Sequence, residues 1–160
     1  MKIRTSTRLP SDPETVWPLL TGSTMDVPGC FCLGLPKPVA CELPDRRGGV
    51  GAERRCISDR GVVVRRITEW SPPSHLEFRM VSTTHCWSDQ VESIVEEFRM
   101  EPTAGGARLT RTTTLTATGP FRLLKELGFY LGLKRVHLYV FRNWRHQVET
   151  AGAGPRTDLR

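Results

Sequence analysis

Glu92 and Glu96 stand in a stretch, residues 89–101, whose apolar members Ile94, Phe98 and Met100 fall on alternate positions. If that stretch is a strand with Phe98 and Met100 turned inward, period-two alternation sends both glutamates to the same side. A carboxylate in an apolar pocket is costly to ionise, so its pKa rises and it can serve as a general acid or base near neutral pH. A bulge would exchange the faces and leave the same residues as surface charges. Arg54 poses a parallel choice, because Val50, Ala52, Arg54 and Cys56 alternate with Glu53, Arg55 and Ile57. Turned inward, Arg54 would pair with Glu96 or hold an oxyanion. Turned outward, it is a solvated charge.

Two further groups carry chemistry. In "THCWS", residues 84–88, His85 has the type to shuttle a proton and Trp87 to stack on a flat ligand from the rim of a cavity. A histidine in a hairpin loop is equally at home in solvent. His137 lies one helical turn before Phe141 and two before Trp144. It would either donate into a cavity or sit hydrogen-bonded in a core. Metal chemistry is disfavoured: Cys30-x-Cys32, with Cys41 or with His85-Cys86, lacks the C-x-x-C spacing of structural zinc sites. His75, His85, His137 and His146 are too scattered for a two-histidine, one-carboxylate iron centre. "GGVGAE" lies among strands and opens no helix, so it is no nucleotide fingerprint, and no cofactor is expected.

The elements that must position these residues follow from pattern. Ile3, Thr5, Thr7 and Leu9 alternate in a first strand, residues 2–9. "SDPETVW" then has cap types in Ser11 and Asp12, proline at the first helical position, and the Ser11–Glu14 capping-box spacing. Pro18 is expected to kink or stop that helix. From Gly22 to Gly49, prolines at 28, 36, 38 and 44 break every run, which predicts a loop with at most one more short helix. Five strands follow, at about 50–58, 62–70, 75–82, 89–101 and 107–116, linked by turn sequences "SDRG", "SPPS" and "TAGG". A long helix closes the chain after Gly119 and Pro120.

That helix is apolar on more than one side between Phe129 and Phe141, yet Lys134 and Arg135 interrupt it, so it is no membrane span. A six-stranded antiparallel sheet curled around one long helix accounts for it, because the helix then faces the sheet, an internal cavity and solvent. The expectation is a single α+β domain over residues 1–149, with residues 150–160 a disordered tail.

Composition bounds the partners. The net charge of +6 on 160 residues is spread as arginine along the chain, including Arg46-Arg47, Arg54-Arg55 and Arg65-Arg66, without a cluster of interleaved aromatics. DNA is not expected as a partner, RNA or ribosome contact is disfavoured, and an acidic protein is neither supported nor excluded. The five cysteines are odd in number and scattered, which suits reduced thiols, and the basic start lacks a signal peptide's apolar core. A cytoplasmic location is expected.

"GVGAERRC", "RRITEWSPPSHLEFRM", "VEEFRMEPTAGGARLTRTTTL" and "TGPFRLLKELG...LKRVHLYVFRNWRHQVE" resemble, in order and spacing, the polyketide cyclase/dehydrase-like branch of the SRPBCC superfamily, which includes START proteins and the birch-pollen allergen. The opening "RLPSDPETVWPLL" is similar too, whereas "MDVPGCFCLGLPKP" replaces an aromatic-rich loop common in that family. The resemblance implies a helix-grip fold that holds an apolar or aromatic small molecule, and it leaves the chemistry open.

Two functions are carried forward. In the first, Glu96 or Glu92 removes a proton α to a carbonyl of a polyketide-like substrate and Arg54 stabilises the enolate, in a cyclisation or dehydration. Trp17, Trp87 and Tyr130 hold the substrate flat, and His85, Phe98, His137 and Phe141 complete the contacts. In the second, the chain is a non-catalytic carrier or sensor of a lipid, isoprenoid or quinone. Weak contact of the long helix with an anionic membrane surface is a third expectation. The oligomeric state is left open.

Overall fold

Alternation of apolar residues every second position, with glycine at the turns, builds most of this chain into antiparallel strands. The computed structural model describes residues 1–31, 35–43 and 48–152. Strand β1 (Lys2–Leu9) is followed by helix α1 (Pro13–Thr21), strands β2 (Ser23–Thr24), β3 (Pro38–Glu42), β4 (Glu53–Ser58), β5 (Gly61–Ser71), β6 (His75–Thr83), β7 (Val91–Thr103) and β8 (Gly106–Ala117), and helix α2 (Arg122–Gly152). The eight strands form one antiparallel sheet in the order β1-β8-β7-β6-β5-β4-β3-β2. At the β7–β8 turn Gly106 takes φ 133°, and a Cβ there would come within 2.1 Å of the Leu9 carbonyl oxygen.

The sheet has two more strands than the six expected. Both lie where prolines predicted loop and helix. β3 begins on Pro38, where a missing N–H costs no ladder bond. β2 pairs with β3 through Ser23↔Cys41 and Thr24↔Ala40. The segment after β2 is tied down by α2: Asn143 Oδ1 accepts from the backbone N–H of Asp26 and Val27 (2.8 and 3.2 Å), and Tyr139 donates to the Val27 carbonyl (2.9 Å). Helix α1 also differs in detail. Its N-cap is Asp12, which accepts from the Thr15 N–H at 2.8 Å, and the helix continues past Pro18 to end at Gly22. Helix α2 runs three residues beyond the expected domain end, and the expected tail from residue 153 onward lies outside the described residues, as do Cys32 and Arg46-Arg47.

One apolar cluster seals the end of the sheet nearest α1, joining Val16, Trp17 and Leu20 to Phe98, Met100, Leu109 and the C-terminal half of α2 through Phe141, Trp144 and Val148. A second, smaller cluster at the other end joins Val91, Ile94, Leu115 and Ala117 to Trp87, Phe129 and Leu133. Between them the inner face of the sheet and α2 stand apart and enclose a cavity of about 430 Å³.

Candidate functional site: a cationic band inside an apolar cavity

The inward positions of neighbouring strands place charged and polar side chains in a row across the cavity wall. β4 supplies Arg54 and Cys56, β5 supplies Arg65, β7 supplies Glu96, β8 supplies Arg111, and β3 supplies Cys41. In β8, Leu109, Arg111, Thr113 and Leu115 are all buried on one face, so an arginine takes a position that alternation reserves for an apolar residue. In β7, Ile94, Glu96, Phe98 and Met100 share the inner face. The register shifts between Val91 and Ser93, and this irregularity turns Glu92 out to solvent. Glu92 is therefore not a cavity carboxylate.

Glu96 is 1% exposed and sits between two guanidiniums, receiving Arg111 Nη2 at 2.5 Å on Oε1 and Arg65 Nη1 on Oε2. Burial alone would raise its pKa, but the charges of Arg111 and then Arg65 outweigh that and hold the carboxyl at about 2. This reverses the elevated pKa expected from sequence, where the pairing of Glu96 with Arg65 and Arg111 is not visible. Glu96 is a permanent anion that neutralises part of the arginine charge.

His137 is buried behind this wall rather than in the cavity lining. Thr113 Oγ1 reaches Glu96 Oε1 (3.4 Å) and His137 Nε2 (2.8 Å), while His137 Nδ1 meets Thr5 Oγ1 (3.1 Å), which also receives Lys134 Nζ (3.2 Å). One assignment satisfies every group: Lys134 donates to Thr5, Thr5 to Nδ1, Nε2–H to Thr113, and Thr113 to Glu96. Burial, with help from Arg111, pushes the imidazole down to about 2, so it is neutral and structural. Of the placements open from sequence, His137 takes the hydrogen-bonded core position and does not contact the cavity.

His85 does line the cavity, stacked on Trp87 with ring centroids 5.0 Å apart. Its Nε2 meets Ser58 Oγ (2.9 Å) and its Nδ1 meets Thr83 Oγ1 (2.8 Å). Burial lowers its pKa. With both nitrogens engaged, the ring is a wall and not a free proton shuttle. Trp87 meets Phe129 edge-on at 5.9 Å, and Phe98 packs edge-on against Phe78 at 6.2 Å, so both expected aromatics border the cavity.

Three others do not. Trp17 is held edge-on by Trp70 at 5.2 Å in the α1 core, and Phe141 packs beside Trp144 within the core. Tyr130 is 39% exposed on the outer side of α2. Besides Gly128 and Gly132, the α2 residues that face the cavity are Lys125, Phe129, Leu133, Val136, Val140 and Trp144, a stripe at spacings of three and four. Tyr130, His137 and Phe141 each stand one position off that stripe, about 100° around the helix.

Arg54 is the outlier. It is 1% exposed, its guanidinium lies 5.0 Å from the Phe78 ring centroid, and its Nε and Nη2 have no hydrogen-bond partner among the described residues. Sequence reasoning singles out Arg54 but passes over Arg65 and Arg111. For Arg111 the signal is present, a lone cation in the phase of Leu109 and Leu115. For Arg65 the run "VVVRR" hides the phase.

No helix among the described residues is long and apolar enough to cross a membrane. No curated protein matches the chain. Among solved structures it is similar to a START superfamily protein from Mycobacterium smegmatis (TM-score 0.66, 10% identity, 94% of this chain and 98% of the other). It is likewise similar to Ara h 8.0201 (TM-score 0.65, 14% identity, 94% and 98%) and to a protein from Thermus thermophilus (TM-score 0.65, 17% identity, 94% and 99%). These establish a shared helix-grip fold. The family model described as polyketide cyclase / dehydrase and lipid transport matches residues 1–137, and with the curled sheet, long helix and internal cavity in place the chain belongs to that family.

Proposed function

We propose that the protein is a carrier or sensor for an amphiphilic anion: an apolar or aromatic body fills the cavity and a carboxylate, phosphate or similar group is received by Arg54. The observation that carries this reading is the buried Arg54 guanidinium, whose Nε and Nη2 have no hydrogen-bond partner among the described residues. Arginine cannot shed its charge, and a buried guanidinium with no hydrogen-bonded anion retains several kcal/mol of desolvation cost. An incoming anion removes that cost through two parallel charge-assisted bonds. The other walls are apolar, from Ile94, Phe98, Leu115, Phe129 and Leu133, and the volume of about 430 Å³ falls in the usual range for small ligands.

Acid–base catalysis is the weaker reading. Glu96 is held ionised by two arginines, Glu92 faces solvent, and His85 and His137 have both nitrogens engaged.

A second observation bears on loading. The first half of α2, with the residue that leads into it, exposes Phe121, Leu123, Leu124, Leu127 and Leu131, each more than half exposed. Beside them stand the exposed Arg122 and Arg135 and the half-buried Lys125 and Lys134, with Glu126 paired to Arg122. An apolar stripe bordered by cations suits an anionic bilayer surface. The same stretch lines the cavity through Lys125, Phe129 and Leu133, so ligand would enter where the helix meets lipid.

The test compares a medium-chain fatty acid with the alcohol of equal chain length, each displacing 1-anilinonaphthalene-8-sulfonate. One charge-assisted pair worth about 2 kcal/mol predicts that the acid binds roughly 30-fold more tightly. Arg54→Met should abolish the preference without destabilising the empty protein, because the substitution removes an unpaired buried charge. Equal affinity of acid and alcohol in the unmodified protein would sink the reading.

A further inference from the structure

Cys41 on β3 and Cys56 on β4 are direct partners in the antiparallel register, and their sulfurs lie 2.9 Å apart. Both line the cavity, and both are free thiols of intermediate exposure. The unpartnered Arg54 lies two residues along the same face of β4, and Arg65 is close enough for its charge to act on both sulfurs. The acid–base reading uses neither cysteine, and the anchoring of an anion does not require them.

From this arrangement we propose that Cys41 and Cys56 form a reactive dithiol that reduces an organic hydroperoxide held in the cavity and is itself oxidised to a cross-strand disulfide. The electrostatics favour one thiolate. The hydrogen bond from the Cys41 thiol, then the charges of Arg65 and Arg54, lower the Cys56 pKa against the opposing effect of burial, while the Cys41 thiol is raised. Cys56 is thus the nucleophile and Cys41 the proton donor and resolving thiol.

The chemistry closes without a further cofactor. The Cys56 thiolate attacks the terminal oxygen of ROOH and the O–O bond breaks. Cys56 becomes a sulfenic acid, and the alkoxide RO⁻, stabilised as it forms by Arg54, takes the Cys41 proton to leave as ROH. The Cys41 thiolate then attacks the Cys56 sulfur and the S–O bond breaks. Hydroxide departs and is protonated by solvent to water. Two electrons pass from the dithiol to the peroxide, and the products are one alcohol, one water and one disulfide. Directly opposed cysteines on adjacent antiparallel strands need no change of register to be bridged.

The preference for an organic over an inorganic peroxide rests on the cavity accepting apolar ligands, so the two ideas are measured side by side. Full-length protein carrying Cys30→Ser, Cys32→Ser and Cys86→Ser is treated with cumene hydroperoxide or with hydrogen peroxide. Intact mass, peroxide consumed per chain and binding of 1-anilinonaphthalene-8-sulfonate are followed. Peptide mapping of the unmodified chain provides the same readout without the three substitutions. The expected result is loss of two hydrogens per chain, one cumyl alcohol formed, and reaction at least tenfold faster with cumene hydroperoxide. Cys56→Ser should abolish peroxide consumption, and Cys41→Ser should stop at a sulfenic acid that dimedone traps. If the dye binds but Cys41 and Cys56 stay reduced, the dithiol proposal is overturned and the cavity reading stands. If both peroxides oxidise the pair equally and the dye does not bind, the organic substrate class and the cavity reading fail together.

Discussion

Replacing Glu96 by glutamine separates the two roles a cavity carboxylate can have, since the acid–base reading and the clamp reading predict opposite changes in function. In the folded protein the Glu96 carboxyl is held at about 2 against an ordinary value of 4.5, a displacement that corresponds to roughly 3 kcal/mol of stability. Because the folded value is depressed, this stability is fully present above about pH 4.5 and is lost as the pH falls towards 2. Glu96→Gln keeps the shape but leaves Arg65 and Arg111 without their anion, so the empty protein should lose about 3–5 kcal/mol at pH 7 in urea unfolding. The part of its acid sensitivity that belongs to this carboxyl should disappear. The same variant has one more net positive charge in the cavity, so affinity for a fatty acid should rise, and saturating ligand at 100 times Kd should restore about 2.7 kcal/mol. A variant as stable as the parent, with an unchanged acid limb and weaker anion binding, would refute the clamp.

Two further expectations concern access to the cavity. Sedimentation with vesicles containing phosphatidylserine should recover the protein at low salt and release it by about 0.5 M salt, and Leu123→Ser with Leu127→Ser should weaken recovery at least tenfold; equal recovery with neutral vesicles would exclude an anionic surface. Gly132 faces the segment before β3, and a Cβ there would stand 2.6 Å from Leu35 Cδ1. Because that atom is the end of a flexible side chain, Gly132→Ala should fold normally but change the rate of ligand exchange at least threefold in stopped-flow displacement, and an unchanged rate would remove Leu35 from the entrance.

Much of the architecture was legible because it rests on short-range pattern. Period-two alternation locates the six longer strands and places Glu96 and Phe98 on one common face, without deciding that it is the inner one, and Pro120 with Gly119 marks where the long helix begins. What escaped depends on contacts distant in the chain. β2 and β3 are held by each other and by the segment's bonds to Tyr139 and Asn143, more than a hundred residues on, and nothing local in "STMDVPG" announces them. A single register shift beside Glu92 turns it to the opposite face, since one extra residue inverts the alternation upstream of it. In α2, apolar residues on several sides give the helix no unique phase, so pattern alone does not separate Tyr130 and Phe141 from their neighbours Phe129 and Val140, which line the cavity.

The same degeneracy explains why the charges in this site matter more than its aromatics. An apolar residue placed one position off its stripe finds another apolar environment, as Phe141 does beside Trp144, and the error costs little. A buried arginine has no such alternative, because it must find an anion or retain its desolvation cost. Arg65 and Arg111 meet that requirement with one shared glutamate. Arg54, a third guanidinium set against one carboxylate, is offset only through space by the Cys56 sulfur and keeps an aromatic face and two nitrogens with no hydrogen-bond partner among the described residues. A core that needed only to be stable would gain from losing that charge. Its presence on the wall of an apolar cavity is therefore the feature that stability does not explain and that a bound anion does.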